Sequence, residues 1–457
     1  MTNDALKNEA AKNIQSGYDA YKKIALSIWD YAEVGYKESK SSMLLQNTLR
    51  DNGFKVEAGI AGMPTAFIAT YGSGSPVIAI LAEYDALPGL SQENSPVKTP
   101  IAQRNSGHGC GHNLFGTGSV ASGITLKNLM AEGKIKGTLK VFGCPAEEGG
   151  DGKVYLVREG YFKDVDVALH WHPDNHNAVT YTSALAIKTA KFRFYGISAH
   201  ASSAPDKGRS ALDAVEAMDN MVNMMREHIP QESRIHYVIT NGGKAPNVVP
   251  DFAEVFYYVR HPEKDIAVSL FERVVNAAKG AAIGTDTKME YEIISGSHDL
   301  LINKTLATDM QANLEKVGGV KYTDEEIKFG KQLQSTFLGK VPSMDSAGIV
   351  KSLYIEKDQG STDVGDVSYV VPTVGVKTAT WIPGTSAHSW QAVACSGGDI
   401  GVKGMLVAAK TIAFTAIDLF LTPSLIQKAK EEFIISKGTY QYKALLGDRK
   451  PALNYRD

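Results

Sequence analysis

Between Asn3 and Leu49 apolar residues recur every three or four positions, with Ile14, Tyr18, Tyr21, Ile24, Ile28 and Tyr31 on one stripe and a second set from Glu38 to Leu49. That period predicts helices. From Lys55 it shortens. Lys55 to Glu57, Thr65 to Tyr71 and Val77 to Ala82 read as strands between Gly- and Pro-bearing turns, the last an unbroken apolar run suited to a sheet covered on both sides. Leu139 to Cys144 and Val165 to His170 repeat the pattern, and helical runs at Phe115 to Leu129 and Lys153 to Glu159 alternate with them. Such alternation predicts an α/β domain, a mostly parallel sheet with helices on both faces.

Near Leu185 the texture changes to alternating positions, Ala186 to Phe194, as in a strand with one solvated face. A helix from Ser210 to Arg226, strands at Ile235 to Thr240 and Ala253 to Arg260, a helix from Ile266 to Ala281 and a strand from Lys288 to Ile294 complete a split βαβ plan. We therefore expect an inserted α+β, ferredoxin-like domain over residues 185–297, interrupting a discontinuous domain of residues 1–184 and 298–457. Helices and short strands at Ser368 to Pro372 and Val374 to Thr378 then close the first domain.

Composition narrows the partners. The 457 residues, 43% hydrophobic, carry 48 basic and 50 acidic side chains for a net charge of -2, which advertises neither a nucleic-acid nor an anionic-membrane surface and points to a small-molecule partner. The polar stretch Met1 to Tyr18 has no apolar centre, which argues against a secretory signal. Gly404 to Thr422 is apolar but broken by Lys410 and Asp418, so it reads as a buried helix and not a membrane span. Three scattered cysteines, Cys110, Cys144 and Cys395, suit a reducing compartment, and a cytoplasmic enzyme is the expectation.

The chemistry concentrates in Gly107-His108-Gly109-Cys110-Gly111-His112-Asn113, just ahead of a buried helix. A thiol and imidazoles among glycines have metal-site composition, and Cys110 and His112 are the first candidate ligands. Glu147 and Glu148 follow the strand ending at Cys144, where open α/β sheets carry their sites. Chemistry would divide their work between binding metal and serving as general base. His170 and His172 end another strand and point the same way, while His388 lies in a small-residue loop. Asp85 ends the run Val77 to Ala82 and could orient a liganding imidazole or cap the next turn. His200, Asn247 and Arg260 flank strands of the insert as polar residues that could meet a substrate. A zinc deaminase also combines Cys, His and Glu, but its Pro-Cys-x-x-Cys element is absent.

Taken in order, Asp85-Ala-Leu-Pro, Cys110-Gly-His112-Asn, Pro-Ala-Glu147-Glu148, His172-Pro, Gly-x-Ser-Ala-His200, Asn247-Val-Val-Pro and Ala-His388-Ser resemble the M20 metallopeptidases, and more narrowly their amidohydrolase branch, subfamily D. The resemblance spans nearly the whole chain; Asn113 departs from the branch's usual Asp, as in one of its subgroups. It implies a two-metal site of manganese or zinc, with Cys110, His112, Glu148, His172 and His388 as ligands, Glu147 as general base and Asp85 behind the site. His170 has the alternative spacing for the ligand placed at His172. It further implies a homodimer, possibly with a related subunit, whose inserted lid and dimerisation domain lends His200 to the partner's site to steady the oxyanion, while Asn247 and Arg260 bind the substrate carboxylate. The implied reaction is hydrolysis of the amide of an N-acyl amino acid such as p-aminobenzoyl-glutamate. The alternatives are a dipeptidase acting on β-alanyl or other short dipeptides and a non-catalytic metal-binding subunit that requires a partner chain.

Overall fold

The computed structural model describes residues 2–357 and 360–456. A seven-stranded sheet forms its centre, built from β1 (Lys55–Ala58), β2 (Phe67–Gly72), β3 (Val77–Ala82), β4 (Thr138–Gly143), β5 (Val167–Asp174), β6 (Ala178–Thr180) and, far along the chain, a strand at Thr373–Ala379. β4, β3, β5 and the Thr373–Ala379 strand pair in parallel in that order, while β1, β2 and β6 add antiparallel edges. The continuous apolar run of β3 has the expected cause. Ile78, Ile80 and Ala82 join one core with the helices His112–Ala131 and Asp399–Leu421, and Ala79 and Leu81 join a second core with the helix Gly152–Arg158.

The helix Asp399–Leu421 is long and apolar enough to cross a membrane, yet 89% of its most apolar stretch is buried within the described residues, so here it is a core helix. The first helical stretch divides at Gly17 into Asn3–Ser16 and Tyr18–Tyr31. The predicted strand Ser368 to Pro372 is not a strand. Val364–Ser368 is a short helix followed by a turn, because Val364, Val367 and Val371, spaced by three and four, bury one face against the second core.

A separate four-stranded sheet follows: β7 (Ala186–Tyr195), β8 (Arg234–Asn241), β9 (Phe252–His261) and β10 (Lys288–Ser297), in the order β8-β9-β7-β10 with every neighbouring pair antiparallel. The helices Ala211–Met225 and Lys264–Gly284 pack on one of its faces around Phe192, Tyr257 and Phe271. Burial in β9 alternates strictly, so Tyr257, Val259 and His261 turn inward while Tyr258 and Arg260 occupy the opposite face. With it the strand at Thr373–Ala379 becomes β11.

Candidate metal and active site

Three parallel strands deliver their carboxyl ends to one cleft of about 890 Å³. β3 ends into Glu83 and Asp85, β4 ends into the loop carrying Glu147 and Glu148, and β5 carries His170 and His172 within its length. The Cys110–His112 turn presses against β5 from above. It can do so because Gly111 is left-handed (φ 72°) and bare: a Cβ there would lie 2.7 Å from the Pro173 side chain.

The predicted donors meet. Cys110 Sγ lies 3.4 Å from His172 Nε2, and His388 Nε2 lies 3.2 Å from Glu148 Oε1. His112 sets its Nδ1 2.8 Å from Asp85 Oδ1, which leaves Nε2 facing the cluster, 3.1 Å from Glu83 Oε2. Donor atoms converge within 4.8 Å in three groups: Cys110 with His112 and His172, Cys110 with Glu148 and His388, and Glu83 with His112 and Glu147. Cys110 is shared by the first two. The donor set suits divalent cations, and the buried donor atoms say the same: Glu83 Oε2, His112 Nε2 and Glu148 Oε1 crowd against neighbouring donors without a well-aligned hydrogen bond. His170 shares the face of His172 but lies deeper, its ring over Gly375, where any Cβ would collide with it.

Electrostatics follow from this crowding. Burial holds His172 near pKa 4 and His170 near 3, so both imidazoles are neutral. Burial, reinforced by Glu83 and Glu148, pushes the Glu147 carboxyl well up. Burial also raises the Cys110 thiol, and a cation beside it would reverse that. His112 is pulled down by burial, but Cys110, Asp85 and Glu83 outweigh that and raise it. Backbone strain collects here too: Ala146 and Asp151, on either side of the Glu147–Gly150 turn, and His388 hold φ of 56°, 56° and 57° without being glycine.

Beneath the donors runs a buried charge chain that the motif reading missed. Lys153 Nζ sits 2.6 Å from Glu83 and 2.6 Å from Asp363, with all three side chains almost wholly buried. Glu83 was visible two residues before Asp85 at the same strand end. Lys153 gives no sequence signal, since lysine is rarely buried. Asp85 also accepts from the Glu148 backbone N–H at 2.9 Å, which ties two of the strand-end loops together.

The insert behaves differently. Arg260 lines the cleft. His200 and Asn247 do not; both are exposed and adjacent, joined by an antiparallel bridge of His200 to Val248 and by Ala201 N–H donating to the Asn247 carbonyl. The His200 ring accepts from the Ser202 and Ser203 backbones. Arg456, also missed, lines the cleft from the far end of the chain.

Comparison with known proteins bears on the family and the fold. The profile of peptidase family M20/M25/M40 matches residues 79–368. The chain is 40% identical over 446 residues to one of the subunits of the p-aminobenzoyl-glutamate hydrolase of Escherichia coli, covering 92% of this chain and 93% of that one. It is 30% identical to the Xaa-Arg dipeptidase of Mus musculus, covering 94% and 92%. Its fold superposes on a dinuclear metal binding peptidase of the M20 family from Bacillus subtilis with a TM-score of 0.62 at 17% identity, over 89% of this chain and 99% of that one.

Proposed function

The chain belongs to peptidase family M20/M25/M40 and is a metal-dependent amide hydrolase; from that premise we propose that it cleaves N-acyl amino acids of the p-aminobenzoyl-glutamate type at the Cys110 cluster. The observation that carries the reading is the sharing of Cys110 between two donor groups, with Glu147 beside them. In this reading Cys110, His112, Glu148, His172 and His388 hold two divalent ions, manganese or zinc. Bound there, the ions supply Lewis-acid activation of a water and of the scissile carbonyl. Glu147, its affinity for a proton raised by burial, takes the proton from water and returns it to the departing amine. Asp85 fixes the His112 ring through Nδ1 so that Nε2 remains the donor atom. Arg260 takes the substrate carboxylate as a bidentate partner.

Residues 185–297 serve in this reading as a lid and dimerisation domain. Supporting this, β8 is an open sheet edge with Val238 and Ile239 exposed, a surface that pairs readily with another chain. A homodimer would bring the exposed His200 and Asn247 of one copy to the cleft of the other. Two different subunits of the Escherichia coli hydrolase are relatives of this chain, which leaves a related chain as the alternative partner. A cytoplasmic location fits the three reduced cysteines, all buried and free.

The test is amine release by metal-stripped protein after manganese or zinc is restored, with p-aminobenzoyl-glutamate and a panel of N-acyl amino acids, β-alanyl dipeptides and Xaa-Arg dipeptides. Metal-dependent turnover of the aromatic acyl substrate is expected. Glu147→Gln should keep its metal and lose about 10²- to 10⁴-fold in kcat, and near-normal turnover would remove Glu147 from the role of base. Silence with metal bound would favour a partner-requiring subunit.

A further inference from the structure

We propose that Arg456 is a substrate-binding residue: with Arg260 it forms a two-guanidinium subsite that selects a leaving amino acid with a second, side-chain carboxylate. The inference rests on the hydrolase reading above and deepens it.

The two arginines come from opposite ends of the fold to one cleft. Arg260 reaches it because β9 alternates, with Tyr257 and Val259 committed to the helices and Tyr258 and Arg260 left on the cleft face. Arg456 is fixed on the catalytic loop itself. Its Nη2 donates to the Glu148 carbonyl at 2.5 Å, and the neighbouring Tyr455 hydroxyl donates to the same oxygen at 3.1 Å. Tyr455 in turn packs edge-on against Tyr36, with ring centroids 5.7 Å apart. This segment is therefore a built wall of the site.

Each guanidinium keeps an unpaired nitrogen. Arg260 Nε and Arg456 Nε are both buried without a hydrogen-bond partner, and no carboxylate pairs with either arginine among the described residues. Thr180 Oγ1 and Ser361 Oγ, on the same cleft, are also buried and unpartnered. Asp151, the acid on this wall, is committed to the Gly296 backbone N–H at 3.0 Å. Two half-buried cations, each with a buried unpaired Nε, and two idle hydroxyls call for anionic oxygen, since a guanidinium recovers its lost hydration best from a carboxylate. One carboxylate serves one arginine. A leaving group with two, held close to the scissile bond because Arg456 is tied to Glu148's own carbonyl, satisfies both. A leaving arginine would instead meet two like charges.

The experiment compares p-aminobenzoyl-glutamate with p-aminobenzoyl-glutamine and p-aminobenzoyl-arginine on wild type, Arg456→Ala and Arg456→Lys, with circular dichroism and metal content as checks on folding. Wild type should prefer the glutamate substrate. Arg456→Ala should lose about 10- to 100-fold in kcat/KM for it while changing little for glutamine, with Arg456→Lys between them. Equal losses on both substrates, or a wild-type preference for glutamine or arginine, would overturn the subsite. Should none be hydrolysed, the same ligands are titrated calorimetrically into metal-loaded Glu147→Gln protein with and without Arg456→Ala. A glutamate-selective loss of binding there sustains the subsite while the hydrolytic reading falls, and its absence overturns the subsite by itself.

Discussion

At the ends of β3, β4 and β5 the charged residues are matched within one chain, donor to donor and Lys153 to Glu83 and Asp363, before any partner arrives. On the four-stranded sheet the opposite holds. Arg260 faces the cleft with no ion-pair partner among the described residues, while His200 and Asn247 face solvent on a bridge that touches no candidate donor. One region is paired within the chain except for the atoms that face a metal, and the other carries groups that acquire a use only against a substrate or another chain. The difference teaches where to look for dependence: stability and metal binding should follow the first region, assembly the second, and substrate choice the seam where Arg260 meets the first region.

The largest effect should come from emptying the buried charge chain. Lys153→Met leaves two carboxylates buried without their cation, a loss of about 3–5 kcal/mol in stability read by urea denaturation. Adding Glu83→Gln should restore part of it. The control lies in the other region, where Lys191 reaches Glu254 at 3.5 Å but is one-third exposed; Lys191→Met should cost under about 1 kcal/mol. Similar losses at the two lysines would erase the contrast.

Next in size is the contribution of His200. His200→Ala should retain metal and lose roughly 10²- to 10³-fold in kcat if the imidazole meets the oxyanion. Mixing His200→Ala protein with Glu147→Gln protein then decides between the regions. If one copy lends His200 to the other, a mixed dimer contains one site with both Glu147 and His200, and activity returns on mixing. If His200 acts on its own chain, every site in the mixture lacks one of the two and no activity returns.

How much of this was legible in the sequence depends on the kind of signal each residue leaves. Strand-end position and glycine spacing announced Cys110, His112, Glu147 and Glu148, because local geometry places them. Arg260 was placed at the end of a strand, but its face became readable only from the alternating burial of β9. Lys153 and Arg456 left no such trace; one is a buried lysine whose partners lie 70 and 210 residues away, and the other reaches Glu148 from 308 residues away. The misread strand at Ser368 to Pro372 shows the converse limit, since a five-residue apolar run cannot distinguish a period of two from one of 3.6.

The smallest effect tests the seam between the regions. Asp151 Oδ2 accepts from the Gly296 N–H of β10 at 3.0 Å, joining the end of the Glu147–Gly150 turn to the four-stranded sheet. Burial raises its carboxyl to about 7, although the hydrogen bonds from Ser295 and Gly296 pull the other way. With the folded value above the unfolded value of 3.8, the folded chain holds the proton more tightly. The stabilisation is therefore full below about pH 4 and is lost as the pH rises through about 7, at no more than ~1.4 kcal/mol per pH unit. Asparagine tolerates the left-handed backbone at this position and keeps an oxygen for Gly296, but it has no proton to lose. Asp151→Asn should accordingly gain stability relative to the metal-free parent as the pH is raised from 5 to 8, measured by denaturation midpoints at each pH. A difference that stays flat across that range would mean the seam carries no buried proton, and that the two regions are joined there by the hydrogen bond alone.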